Sequence, residues 1–215
     1  MYIREYMKTP IITVTPDTLI DDALRTMHQH HIRRLPVAVK GKLVGLVTRH
    51  ALQETTPPSP TPLSTWGTRY QLSRMKVRDV MITDVITVTP DRTVEEAAAL
   101  LEQQKIGALP VVDKDGNVVG ILTGSDLLRL LTQVMGFGQK GIRLHILNMG
   151  SNKEVRQRQI MAILSEHEVD VLSAFTVPLA GTQGEDFIVH LDTEEAEEIV
   201  EELKKLGLKV DVREH

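Results

Sequence analysis

The stretch VITVTPDRTVEEAAALL (Val85–Leu101) is a second copy of IITVTPDTLIDDALRTM (Ile11–Met27) from the same chain. The alignment extends without a gap from residues 7–40 to residues 81–114, and 15 of these 34 positions are identical. The repeat is too long for a helical solenoid, and two copies are too few for one. It therefore predicts two similar lobes related by a pseudo-twofold axis, with pockets at their seam.

Each copy has the pattern of strand, helix, strand, strand and helix. The ITVTPD segment alternates as a strand does and ends at proline. In the second copy, Thr93 and Glu96 have the spacing of a capping box at the start of a helix. Two β-rich runs follow, and they close on Gly45–Thr48 in the first copy and on Gly120–Thr123 in the second. A final helix is predicted after each.

Changes in composition mark the domain boundaries. Residues 55–74 are rich in proline and predict an extended connector, and residues 136–141 (GFGQKG) predict a hinge. The two copies then occupy residues 1–54 and 75–135. Residues 142–215 have the element order βαββαβ, which is that of a ferredoxin-like sandwich. The predicted fold class is α/β (α+β), with a pseudo-symmetric pair of domains followed by a smaller one.

The overall composition is that of a soluble globular protein. The 215 residues are 41% apolar and 25% charged, with a net charge of −4, no cysteine and 3% aromatic residues. Neither a basic field nor an aromatic platform for nucleic acid is expected, and no apolar run is long enough to span a membrane. The charged N-terminus lacks the apolar stretch of a signal peptide, which favours a cytoplasmic location.

The sharpest chemical signal is the run GILTGSD, which ends at Asp126. A strand delivers Thr123 and Ser125 to the start of a helix, where free N–H groups favour a phosphate, and the Asp126 carboxylate can accept two hydrogen bonds from a ribose diol. The alternative is that these residues only cap the helix. The first copy keeps Thr48 but has Ala51 where Asp126 stands. We therefore expect one competent nucleoside site and one degraded or vacant site.

The doubled unit resembles a tandem pair of cystathionine-β-synthase-type (CBS) domains, the Bateman module. The resemblance is carried by the stretch quoted first and by IGALPVVDKDGNVVGILTGSDLLRLL, together with their first-copy partners. Residues 142–215 resemble an ACT domain, a regulatory module that often binds amino acids. With the connector and the run Tyr70–Val77, the architecture is similar to that of the acetoin-utilisation protein B family.

The resemblance implies a non-catalytic regulator that binds AMP, ADP, ATP or S-adenosylmethionine between the repeats. Asp126 would hold the ribose, and Thr123 or Ser125 would approach the phosphate. The base would lie between apolar residues, and two adjacent guanidinium groups suit a phosphate. The residues implied to line this site, besides those three, are Thr9, Pro10, Ile11, Ile12, Arg33, Arg34, Pro36 and Ile121. The resemblance also implies a homodimer formed through the CBS domains and an unidentified regulated protein.

Other interpretations remain open at this stage. A structural oligomerisation scaffold with vestigial pockets is one, and an enzyme with a site assembled across a dimer is another. No catalytic constellation is present, and His28, His30 and His31 are interpreted as surface residues rather than as metal ligands. In the C-terminal domain, Asn148–Lys153 occupies the place of the amino-acid-binding loop of ACT domains but matches it poorly. Pairing between two such domains is therefore an equal alternative to ligand binding there.

Overall fold

A computed structural model describes residues 1–54, 74–150, 152–179 and 184–214. These form two compact units, Met1–Leu128 and Arg129–His215. The predicted connector, residues 55–74, lies outside the described residues except for residue 74. The predicted domain boundaries therefore stay predictions.

The first unit contains the two repeats, each built around a β-hairpin. Its described elements are α1 (Ile3–Tyr6), α2 (Ile20–Gln29), β1 (Arg34–Val39), β2 (Lys42–Thr48), α3 (Arg49–Glu54), a 3₁₀ turn (Val77–Asp79), α4 (Val94–Gln103), β3 (Ala108–Val112), β4 (Val118–Thr123) and the beginning of α5 (Gly124–Val134). β1 pairs with β2, and β3 pairs with β4, in antiparallel hairpins that carry a bulge at matching positions. The capping box at the start of α4 is confirmed, because Thr93 Oγ1 accepts from the Glu96 N–H and Glu96 accepts from the Thr93 N–H.

The predicted ITVTPD strand is wrong in its extent, and prolines explain why. In the first copy the segment forms a single parallel bridge, in which the Val14 N–H donates to Pro36 O and the Ala38 N–H donates to Val14 O. The next hydrogen bonds of a parallel ladder would need the N–H groups of residues 16 and 36, and both residues are prolines. The second copy has the same single bridge between Val88 and Val111.

The segment that leads into each repeat crosses to the other repeat. Residues 1–8 and 74–82, called here the leading segments, contain α1 and the 3₁₀ turn respectively. In the first leading segment, the Ile3 N–H donates to Arg92 O at 2.8 Å. In the second, the Val77 N–H donates to Thr18 O at 2.9 Å. Val77 is fully buried within the apolar core of the first repeat, so each repeat is completed by a segment that precedes the other.

Both crossings end in a backbone bridge to the last strand of a hairpin. Lys8 bridges Ile121 in β4, and Ile82 bridges Leu46 in β2, so the two contacts obey the pseudo-twofold symmetry. A glycine lies before each bridged strand residue. A Cβ at Gly45 would lie 2.9 Å from Ile82 O and 2.7 Å from the Met81 sulfur, so the close approach of the backbones requires glycine.

The second unit is a four-stranded antiparallel sheet with two helices on one face. Its described elements after the end of α5 are β5 (Ile142–Leu147), α6 (Lys153–Glu166), β6 (Val171–Pro178), β7 (Glu185–Leu191), α7 (Glu197–Lys205) and β8 (Lys209–Glu214). The strand order is β6-β7-β5-β8, and the element order is the predicted βαββαβ. Ile160 and Leu164 of α6 and Leu203 of α7 are fully or almost fully buried in one core with Leu144 and Val189 of the sheet. Elsewhere in this unit, Arg143 Nη2 donates to Met135 O at 2.7 Å.

Replacing Gly45 by alanine should destabilise the first unit by about 1–3 kcal/mol, because the added methyl forces the second leading segment away from β2. Urea unfolding followed by circular dichroism measures the change. Gly124→Ala is the matched control, since a Cβ at Gly124 meets no atom within 4 Å and alanine favours the helix there. Equal midpoints for the two variants would contradict the proposed close approach.

Candidate functional site

Asp126 lies in the first turn of α5, directly after β4, and only 4% of its surface is exposed. Its Oδ2 accepts hydrogen bonds from the Thr123 N–H at 3.0 Å and from the Thr123 hydroxyl at 2.5 Å. The Asp126 N–H points back to Thr123 Oγ1 at 3.4 Å. This is the reciprocal arrangement of a capping box, so the capping role considered from the sequence is present. The cap also fixes the direction of the remaining carboxylate oxygen, Oδ1.

The fixed oxygen of Asp126 faces a cation that belongs to the first leading segment. Lys8 Nζ lies 3.4 Å from Asp126 Oδ1, and its side chain is 48% exposed. Lys8 is held at this place by its backbone, whose N–H donates to Ile121 O at 2.9 Å. A buried carboxylate from one repeat and a partly exposed ammonium from the other therefore meet at the seam.

Lys8 was not among the residues predicted for this site. The repeat comparison gave no signal for it, because the second copy has Ile82 at the aligned position. The available signal was that Lys8 directly precedes the predicted site residue Thr9. The importance of Lys8 depends on the crossing of the first leading segment. That crossing could not be derived from the pattern of either repeat alone.

The predicted site residues are placed on the elements that converge on this seam. Thr9 and Pro10, which follow Lys8, are exposed, and the next two residues, Ile11 and Ile12, are half-buried. Ile121 is buried in β4, and Ser125 is exposed in the first turn of α5. The structure thus brings Lys8, Ile121, Thr123 and Asp126 together directly. Pro36 is buried in β1, where it pairs with Leu46 of its own hairpin. The contact of each of these residues with a ligand stays a prediction.

The pseudo-symmetric cleft beside Thr48 contains a cavity of about 250 Å³. Its walls are mostly apolar and come from both repeats, and they include Leu46, Ile82, Val85, Ile86 and Ile106. Thr48, Arg34 and Asp84 supply the polar groups of its lining. Thr48 Oγ1 accepts from the Ala51 N–H at 3.2 Å, which repeats the Thr123 cap without its carboxylate. The cleft that was expected to be degraded or vacant therefore contains a cavity, and whether a ligand occupies it stays a prediction.

Both predicted arginines lie beside this Thr48 cleft. Arg34 is paired with Thr48 in the hairpin register, and its guanidinium extends over Gly107 of the second repeat. A Cβ at Gly107 would collide with Arg34 Nη2, so a glycine at the position aligned with Arg33 makes room for the side chain. Arg33 and Arg34 also line an outer cavity of about 300 Å³ with Thr48 and Arg49. Contact of either arginine with a ligand of Asp126 stays a prediction.

Neither a metal site nor a membrane span is found in the described part of the chain. No group of three or more histidine, aspartate or glutamate side chains has the geometry to hold a metal ion there. The rings of His28 and His31 are 6.4 Å apart between centroids. Over the same residues, every helix falls short of the length and apolar character that a bilayer crossing requires.

Comparison with known sequences identifies both repeats. The model of the CBS domain family matches residues 3–55 and 77–133, which is more than half of the chain. A CBS domain-containing protein of Dictyostelium discoideum is 34% identical over 134 residues, which are 62% of this chain and 92% of that protein.

Solved structures of CBS proteins match a similar share of the chain. The CBS domain pair of protein MJ0100, in complex with 5-methylthioadenosine and S-adenosyl-L-methionine, has a TM-score of 0.51 at 26% identity and covers 61% of this chain and 95% of that one. CBSX2 in complex with AMP has a TM-score of 0.52 at 28% identity, with coverages of 62% and 98%. A Vibrio cholerae protein named as a candidate acetoin utilization protein has a TM-score of 0.54 at 27% identity, with coverages of 63% and 93%.

The two threonine caps allow a matched test of how Asp126 is held. Thr123→Val should destabilise the first unit by about 1–3 kcal/mol, because it leaves a buried carboxylate without its hydroxyl donor. Thr48→Val removes only an acceptor for the Ala51 N–H and should cost about 0.5–1.5 kcal/mol. Urea unfolding of both variants measures the difference. A larger effect at Thr48 than at Thr123 would refute this account of the cap.

Proposed function

Since the chain belongs to the CBS domain family, we propose that it is a non-catalytic regulatory protein that binds an adenosyl ligand between its two repeats. The ligand is AMP, ADP, ATP or S-adenosylmethionine. The similarity to CBS pairs solved with AMP and with S-adenosyl-L-methionine supports this class of ligand. Binding acts as a signal if the ligand prefers one arrangement of the repeats over another, because the ligand then shifts the population toward that arrangement.

The observation that carries the proposal is the buried Asp126 carboxylate at the seam. Thr123 fixes its Oδ2, so Oδ1 has a defined position from which to accept the hydrogen bonds of a ribose diol. Lys8 faces the same oxygen from the other repeat. When ribose hydroxyls take the place of the Lys8 ammonium beside Asp126 Oδ1, the partly exposed ammonium is able to turn to the phosphate of the ligand. One bound molecule thereby contacts both repeats.

The C-terminal unit and the metabolic setting are further parts of the proposal. The βαββαβ order and the β6-β7-β5-β8 sheet support an ACT-like regulatory domain in residues 142–215. Within its predicted ligand loop, Asn148 and Gly150 both have positive φ, and Met149 is fully buried. The similarity to the Vibrio cholerae protein supports a role in acetoin or acetyl-CoA metabolism. The protein that receives the signal is unidentified.

Asp126→Asn should lower the affinity for the bound adenosyl ligand by about tenfold or more, because the amide offers the ribose a weaker acceptor than the carboxylate. Isothermal titration of the whole protein with AMP, ADP, ATP and S-adenosylmethionine identifies the ligand and measures the loss. Asp115→Asn is the control, since this exposed aspartate lies in the turn at the far end of the β3–β4 hairpin.

Two results would count against this function. One is an unchanged affinity in the Asp126 variant, which would place the ligand elsewhere. The other is the absence of binding by all four compounds, which would favour an oligomerisation scaffold with vestigial pockets.

We also propose that the protein is a homodimer formed through its CBS domains. Light scattering after size-exclusion chromatography should therefore give the mass of two chains. The mass should persist after deletion of residues 142–215, because the proposed interface belongs to the repeats. A dimer that dissociates on this deletion would instead assign the interface to the C-terminal unit.

A further inference from the structure

The ion pair at the seam of the repeats joins a fixed carboxylate to a flexible ammonium. The Asp126 side chain is 2% exposed and accepts from both the hydroxyl and the N–H of Thr123. The Lys8 side chain is 48% exposed, and lysine carries its charge on a four-carbon stem with several rotatable bonds. The carboxylate therefore keeps its place when a ligand arrives, whereas the ammonium is able to turn to another partner.

The main chain of Lys8 limits how far this ammonium can move. The Lys8 N–H donates to Ile121 O at 2.9 Å, and Lys8 O accepts from the Ile121 N–H at 3.4 Å. Gly120 permits this approach, since a Cβ there would lie only 3.2 Å from Lys8 O. The backbone of Lys8 is thus fixed beside β4. An ammonium that leaves Asp126 consequently remains beside the cleft, within one side-chain length of this backbone.

The second copy shows that the position of Lys8 faces a cleft. Ile82 aligns with Lys8 and lines the cavity of the other cleft. That cavity is also lined by Asp84, whereas the first copy has Pro10 at the aligned position. The Asp126 cleft therefore has a cation where its counterpart has an apolar residue, and an uncharged residue where its counterpart has an acid. Both differences favour an anionic group in the Asp126 cleft.

Binding of a ribose changes the balance of charge beside Asp126. Ribose hydroxyls are neutral donors, so the Lys8 ammonium loses its counter-ion when they take its place beside Oδ1. The 5′ carbon belongs to the same ribose, which brings its substituent within reach of the lysine side chain. An anionic substituent supplies a new counter-ion through a charge-assisted hydrogen bond. An uncharged substituent supplies none, and a cationic one repels the ammonium.

We propose that Lys8 makes the Asp126 cleft select adenosyl ligands with a phosphate on the 5′ carbon over S-adenosylmethionine, whose 5′ carbon is bonded to a sulfonium cation. Lys8 is then a specificity-determining residue. The proposal rests on the proposed function for the contact of Asp126 with the ribose, and it narrows the four ligands named there to the three nucleotides. The ribose contact comes from the duplicated fold, and the choice among ligands comes from a residue that the two copies do not share.

The test compares three ligands that share one adenosine and differ in the charge of the 5′ group. AMP is anionic there, 5′-methylthioadenosine is uncharged, and S-adenosylmethionine is a sulfonium cation. Each is titrated calorimetrically into the whole protein. Wild-type protein should bind AMP about tenfold or more tightly than 5′-methylthioadenosine, because AMP gains a charge-assisted hydrogen bond. S-Adenosylmethionine should bind most weakly of the three.

Lys8→Met removes the charge and keeps a long, unbranched side chain. It should weaken AMP binding by roughly tenfold to a hundredfold and change 5′-methylthioadenosine binding by less than about threefold, so that the preference for AMP disappears. Lys8→Arg should keep the preference, because it keeps the charge. Lys114→Met is the matched control, since this exposed lysine lies in the turn between β3 and β4. All three affinities should be unchanged in this control.

A second variant keeps the test decisive if Lys8→Met does not fold. Lys8→Gln retains a donor for Asp126 without the charge, and it should also lose the preference for AMP. A preference that persists in the uncharged variants, or wild-type affinities that are independent of the charge of the 5′ group, would overturn the proposal. If the ligands then still lose affinity in Asp126→Asn, the proposed function stands without this selectivity. Absence of binding by all three compounds would remove both.

Discussion

The crossing of the leading segments is the constraint on which the first unit depends. Lys8 and Ile82 can bridge the opposite hairpins only because Gly120 and Gly45 have no side chain that would keep the two backbones apart. The same crossing buries Val77 inside the other repeat's core. It also carries Lys8 to the Asp126 cleft and Ile82 to the Thr48 cleft, so packing and site geometry have one common origin. Neither repeat possesses a complete core or a complete cleft by itself.

Duplication gave the two clefts one backbone frame but different charges. In one cleft a buried aspartate faces a lysine, and in the other an alanine takes the place of the aspartate while three arginines gather outside. The frame determines where a ligand can lie, because hydrogen bonds of the main chain place the strands and helix starts in both repeats. The side chains decide which part of the ligand is recognised, since a carboxylate selects hydroxyl donors and guanidinium groups select oxyanions.

The sequence predicted those features that depend on local pattern or on the repeat. The hairpins, the capping box of Thr93 and the βαββαβ order all follow from short-range spacing. The short extent of the ITVTPD pairing was missed. Two prolines limit this pairing in the first copy, and one of them, Pro36, lies on the neighbouring strand β1. The position of Lys8 and the direction of Arg34 were also missed. Both are decided by residues of the other repeat, Ile121 and Gly107, and no alignment of one copy with the other contains that information.

The prolines that restrict the parallel pairing have a consequence for the unfolded chain. The segments Ile12–Thr15 and Ile86–Thr89 each read ITVT, four uncharged residues of high strand propensity. Exposed segments of this kind favour cross-β stacking between molecules. Pro16 and Pro90 follow them directly, each with an aspartate after it. A strand that ends in a proline, which has no N–H donor, and in a charged residue is a poor template for another chain. The residues that shorten the native ladder therefore also disfavour aggregation of the nascent protein.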